Sequence, residues 1–99
     1  MLTYRADSDL AQSTAYQNLN FDTGNASDES LSGSMILFNP SSTTYVKHFI
    51  GNTNNYNEGN YSTNMYTAGY GNTTSAVNAI QFKFDSGNFD GTIYLYGIK

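Results

Sequence analysis

The chain holds a single histidine, His48, and no cysteine. A Ser–His–acid or Cys–His nucleophile would have to run through His48, beside a hydroxyl or thiol and oriented by a carboxylate. His48 lies between Val46 and Ile50 in an alternating stretch, so the expectation is a sheet-face or interface histidine. No catalytic residue is assigned. Zinc is held chiefly by Cys and His, and one chain cannot supply such a set; three copies of His48 around a threefold axis would be the remaining route. Calcium wants several oxygens. Asp7-Ser8-Asp9 and Asp85-Ser86-Gly87-Asn88-Phe89-Asp90-Gly91 are the places to look, but neither carries the later bidentate glutamate, and the second reads first as a turn. The same carboxylates could serve as a glycosidase pair, yet nothing in their spacing fixes two across a cleft. The expectation is a non-enzymatic protein with no metal and no cofactor.

The tyrosines offer a different chemistry. Tyr56, Tyr61, Tyr66 and Tyr70 stand among Asn, Thr and Gly. An aromatic ring packs on the apolar face of a sugar while amides bond its hydroxyls, which makes Tyr56, Asn57, Tyr61 and Asn72 candidates for binding a ligand or receptor, a host surface glycan included. The same residue types build protein interfaces and cross-strand pairs, and that blander reading is the preferred one. Asn25-Ala26-Ser27, Asn60-Tyr61-Ser62 and Asn72-Thr73-Thr74 match the glycosylation pattern, as chance alone would arrange in a chain with 13 Asn, 11 Ser and 11 Thr.

The elements that must position these residues read as strands. In residues 79–99, Ile80, Phe82 and Phe84 alternate with Gln81, Lys83 and Asp85, a polar turn follows, and Ile93, Leu95 and Gly97 alternate with Tyr94, Tyr96 and Ile98. That predicts a closing hairpin whose second strand is apolar or aromatic on both faces and therefore covered on both. Tyr94, Tyr96 and Ile98 are the candidate oligomer interface. Further strands are predicted over 32–38, ended by Asn39-Pro40, over 45–53 and over 60–70, with a short one over 1–6. Residues 8–19 are ambiguous, with Ser8 a candidate cap for a turn or two of helix. Residues 21–31, 52–59 and 71–78 read as polar loops. Turn signals at this spacing, with connections too short for helical crossovers, predict an all-β chain: a small antiparallel, jelly-roll-like β-sandwich. Residues 1–31 form a short strand and loop arm, and residues 32–99 the sandwich.

Composition limits how such a fold can be held. Ninety-nine residues make one domain, which by surface scaling should bury roughly 60–65% of the area its unfolded chain exposes. Hydrophobic content is only 38%, below the usual globular share of about 45–50%. With no cysteine to cross-link it, the missing burial is expected from oligomer contacts. Charged residues are 12% and the net charge is −4. The few basic side chains make no stripe for nucleic acid. No apolar run approaches membrane-spanning length, and no basic segment followed by an apolar one marks a secretory leader near the start.

A further signal lies in the words of the sequence. An alternating strand, Gly87-Asn88-Phe89, a glycine and then Leu95-Tyr96-Gly97-Ile98-Lys99 resemble the C-terminal box of a group of tailed-bacteriophage virion proteins, the tail-fibre and appendage proteins. Ser34-Met35-Ile36-Leu37-Phe38-Asn39-Pro40, Tyr45-Val46-Lys47 and Thr73-Thr74-Ser75-Ala76-Val77-Asn78-Ala79-Ile80 fit the same group, so the resemblance spans residues 32 to 99. Members carry a longer N-terminal half with more strands, which implies that this chain is a trimmed version or completes its sheets with a neighbour. The resemblance implies a structural protein on the virion exterior, as a tail-fibre or appendage module or a capsid decoration or fibre protein. Its partners would be copies of itself, as a homotrimer, and other virion proteins. Binding would fall to loops 52–59 and 71–78 at one end of the sandwich. A free, lectin-like glycan-binding module is the alternative.

Overall fold

The computed structural model describes residues 2–98. Met1 and Lys99, the outermost residues of the first expected strand and of the last, lie outside the described residues. The regular structure is almost all strand: one antiparallel three-stranded sheet in the order β1 (Leu31–Leu37), β2 (Lys47–Tyr56), β3 (Ser62–Gly71), preceded by a 3-10 turn at Ala6–Ser8. No helix among the described residues is long and apolar enough to cross a membrane.

Local chemistry sets the strand ends. β1 stops before Asn39, whose φ of 52° is the left-handed geometry that asparagine tolerates better than most residues, and before Pro40, which has no ladder donor. The Ser42 hydroxyl then accepts from the backbone N–H of Thr44 and of Tyr45, both at 3.1 Å, and turns the chain into β2. Between β2 and β3, the Asn57 carboxamide oxygen accepts from the Gly59 N–H at 2.7 Å. The Asn57 N–H donates to Tyr61 O at 2.8 Å, and Asn60 takes a φ of 63°. This is an Asx-type turn. It fixes a register in which Lys47 faces Gly71 and Tyr56 faces Ser62.

The pleat divides the sheet. Leu31, Gly33, Met35, Leu37, Lys47, Phe49, Gly51, Thr53, Asn55, Thr63, Met65, Thr67 and Gly69 share the inner face. Residues 19–23 dock on it by polar contacts. Thr53 Oγ1 donates to Leu19 O and accepts from Asn20 Nδ2, Asn55 Nδ2 donates to Phe21 O at 3.0 Å, and Thr23 bridges to Asn57. β1 lies so close to β2 that a Cβ on Gly33 would stand 2.6 Å from Asn52 O. Lys47, 1% exposed, brings its ammonium to three backbone carbonyls: Ser42 O, Tyr45 O at 2.9 Å and Thr73 O at 3.4 Å. It thereby ties the β1–β2 turn and the chain after β3 to the start of β2.

Several expectations are corrected here. No strand forms in residues 72–98 or before β1, so the closing hairpin, the strand over 1–6 and a second sheet are not formed among the described residues. Residues 8–19 hold no helical turn beyond the 3-10 turn ending at Ser8. Residues 54–56, read as loop from their amides, are the end of β2, which runs past the expected limit at Thr53. The strand is held there by ladders on both sides, which outweigh low strand propensity. The hairpin fails for the converse reason. Its alternation is sound, but an isolated two-stranded ribbon is marginal by itself, and residues 19–23 already occupy part of the inner face. Phe84 instead stacks on Phe89 at 5.0 Å, and Gln81 accepts from the Tyr16 hydroxyl at 2.7 Å.

The accessible surface is 8298 Å². Against roughly 15,800 Å² for an unfolded chain of this mass, about half is buried, short of the 60–65% expected. Among the described residues no hydrophobic side chain is fully buried. The Lys47 cage should then matter disproportionately. Lys47→Met leaves three carbonyls without their donor and is expected to cost about 1–3 kcal/mol, read as a lowered midpoint in urea or thermal unfolding; an unchanged midpoint would show the cage to be idle.

Candidate docking face

The outer face of the sheet is ordered row by row. Ser32, Asn54 and Asn64 stand opposite one another, then Ser34, Asn52 and Tyr66, then Ile36, Ile50 and Ala68, then His48 and Tyr70. Phe38 extends the last row, its N–H donating to His48 O at 2.9 Å. One half of the face is thus hydroxyl and amide, the other aliphatic and aromatic. Ile36 and Ile50 remain 47% exposed and Tyr66 73%. A shallow depression of about 380 Å³ runs past Ile36, Ile50, Tyr66 and Ala68, and a second of about 220 Å³ lies over Ser32, Ser34, Asn52, Asn54 and Asn64.

The face carries no Asp, Glu, Lys or Arg. Lys47 is the one formal charge in the three strands, and it sits on the inner face; all eight carboxylates lie in turns and flanking segments. Charged groups resist removal from water, so a surface without them is cheap to desolvate. His48 meets the Tyr70 ring at 6.0 Å and 50°; no carboxylate shares its face. Among the described residues no group of three His, Cys, Asp or Glu is placed to hold a metal ion. Asp7 pairs with Arg5 at 3.0 Å and Asp9 accepts from the Tyr4 hydroxyl. The bond from Arg5 holds the Asp7 carboxyl below its ordinary range, and the bond to Asp9 raises the Tyr4 phenol. Both pairs are fully exposed and contribute little to folding.

The four ligand candidates are not brought together. Tyr56, Asn57 and Tyr61 share the β2–β3 turn, where Tyr56 donates to Asn60 Oδ1 at 3.1 Å. Asn57 is 2% exposed, with its carboxamide oxygen committed to the turn. Asn72 follows the far end of β3, so the loops on either side of β3 lie at opposite ends of the sheet, about 30 Å apart at the usual rise per residue, and not at one end. Tyr94, Tyr96 and Ile98 are exposed and unpaired, with the two tyrosine rings stacked at 6.3 Å. The meeting of Ile36 with Ile50 and Ala68, and of Tyr66 with Asn52 and Ser34, depends on register. Period-two alternation assigns them a face; the β1–β2 and β2–β3 connections set who stands opposite whom.

No protein-family model matches this chain, and no curated protein or solved structure does.

The turn and the loop can be told apart by stability. Asn57→Ala removes the acceptor for the Gly59 N–H and is expected to cost about 1 kcal/mol, whereas Asn72→Ala, at an exposed site, should stay within about 0.5 kcal/mol of the parent. Chemical denaturation of both variants measures this.

Proposed function

We propose that this chain is a non-enzymatic structural protein on the exterior of a tailed-phage virion, a tail-fibre or appendage module or a capsid decoration or fibre protein, working as a homotrimer. In that assembly the single sheet is one wall of a jelly-roll-like sandwich that neighbouring copies complete. The placement on a virion rests on the resemblance carried by residues 32–99. The need for partners rests on one observation: an uncharged sheet face with two apolar rows open to water, in a chain with no completely buried hydrophobic side chain among the described residues. Such a face is what the apolar centre of a permanent interface looks like before its partner arrives.

A second reading, glycan recognition, is favoured by Tyr66 standing in one row with Asn52 and Ser34, beside the amide depression. It moves the sugar site from the β2–β3 turn to the polar half of the face. Binding on a glycan array that is lost in Tyr66→Ala and kept in Tyr61→Ala would support it.

Assembly is tested directly. The wild-type chain is expected to scatter light as a trimer at micromolar concentration, and Ile50→Lys, which places a charge at the centre of the apolar rows, to run as a monomer with an unchanged β-type circular dichroism spectrum. A monomeric wild type would defeat the reading. Density for the protein on an intact particle would locate it on tail or capsid.

A further inference from the structure

The sheet ends in open edges. β3 pairs with β2 on one side only, so Ser62, Asn64, Tyr66, Ala68 and Tyr70, the alternate residues that turn away from β2, present unpaired N–H and C=O groups on its other side. Natural edges are usually protected by lysine, proline or inward charge. The β3 sequence STNMYTAGYG has none of these. The same chain also holds a segment suited to such an edge and not using it. Residues 92–98, TIYLYGI, form no strand, and Ile93, Tyr94, Leu95, Tyr96 and Ile98 are all exposed, Leu95 at 88%. Stacking of Tyr94 on Tyr96 places residues i and i+2 on one side, the alternation of an extended chain.

We infer that residues 92–98 of one copy add as a fourth strand along the open edge of β3 in the next copy. This rests on the self-assembly reading above and specifies how it is achieved. The two faces match. With Tyr94 and Tyr96 turned to the outer side they join Tyr66 and Tyr70, and Ile93 and Leu95 then fall on the inner side with Met65 and Thr67. Length also fits, since seven residues lie within the span of a ten-residue strand. β1 is the poorer acceptor, being seven residues long and followed by the Asn39-Pro40 turn.

The surface area sets the scale. A folded monomer of 10.9 kDa exposes roughly 5,600 Å² by the scaling rule, so this chain exposes about 2,700 Å² more. A standard interface removes about 800 Å² from each partner. Head-to-tail strand donation uses two interfaces per copy, one given and one received, and a rotation that closes it makes a ring. A threefold ring satisfies both terms in every copy.

The chain has no cysteine, so introduced thiols are the only ones present. Tyr96→Cys is co-folded in turn with Tyr66→Cys, Ala68→Cys and Tyr70→Cys, which sample three registers, and oxidised. A disulfide between two different chains is expected in at least one pairing. Antiparallel addition turns the Tyr94 and Tyr96 N–H groups to β3, parallel addition the Leu95 N–H. Tyr94→Pro and Leu95→Pro between them remove a ladder donor in either direction, and one of the two is expected to raise the dissociation constant at least about tenfold by light scattering, while Leu95→Val leaves it unchanged. An oligomer that forms without a bridge between the two co-folded variants in any pairing, or that is indifferent to both proline variants, would overturn strand donation and leave self-assembly standing. A monomeric wild type would remove both.

Discussion

The three side chains closest to complete burial are Lys47, Asn55 and Asn57, and all three are polar. This inverts the usual interior, in which aliphatic groups are hidden and polar groups are tolerated only when bonded. Each of the three is held by backbone carbonyls or amides of segments that would otherwise be loose: the turn before β2 and the chain after β3 for Lys47, residues 21–23 for Asn55, and the β2–β3 turn for Asn57. Such bonds are directional and therefore fix register and path. Their net worth is only about 1 kcal/mol each, against roughly 1.5–3 kcal/mol for hiding an aliphatic or aromatic side chain. A sheet assembled this way is well specified and weakly cohesive. Three buried polar atoms, Ser8 Oγ, Asn55 Oδ1 and Thr67 Oγ1, find no protein partner at all, which loosens it further.

That balance explains why the fold divides into a defined sheet and undecided flanks. β2 is secured by ladders on both sides and by the arm across its inner face. The chain beyond Gly71 has the composition of strands but adds to neither open edge of its own sheet. Its aromatic contacts are local, Phe84 with Phe89 and Tyr94 with Tyr96, and these hold rings together without organising backbone.

How much of this could be read from residue order follows the same line. β1 was legible almost to the residue because Asn39-Pro40 is a local stop, and β3 because its alternation is continuous. β2 was cut short at Thr53: Asn54 and Asn55 look like loop residues, and only neighbours supplied by the fold make them strand. The closing hairpin was over-read, since period-two alternation states what a segment would do if it had a partner. The docking face was half legible. Face membership of His48 and Ile50 follows from alternation, but their opposition to Tyr70, Ile36 and Ala68 depends on turn geometry. Asn57, read as a ligand candidate, has its carboxamide oxygen committed to a turn; an amide that builds a turn and one that greets a ligand are the same residue in a sequence.

The segregation of charge has a consequence for behaviour in solution. The plate is neutral on its outer side, while the carboxylates sit around its margins and the chain carries −4 overall. Copies approaching through their centres lose little, but their rims repel over about 10 Å at ordinary ionic strength. Added electrolyte shortens that reach without touching the aliphatic rows, so salt, which weakens most charged associations, would here draw the subunits together.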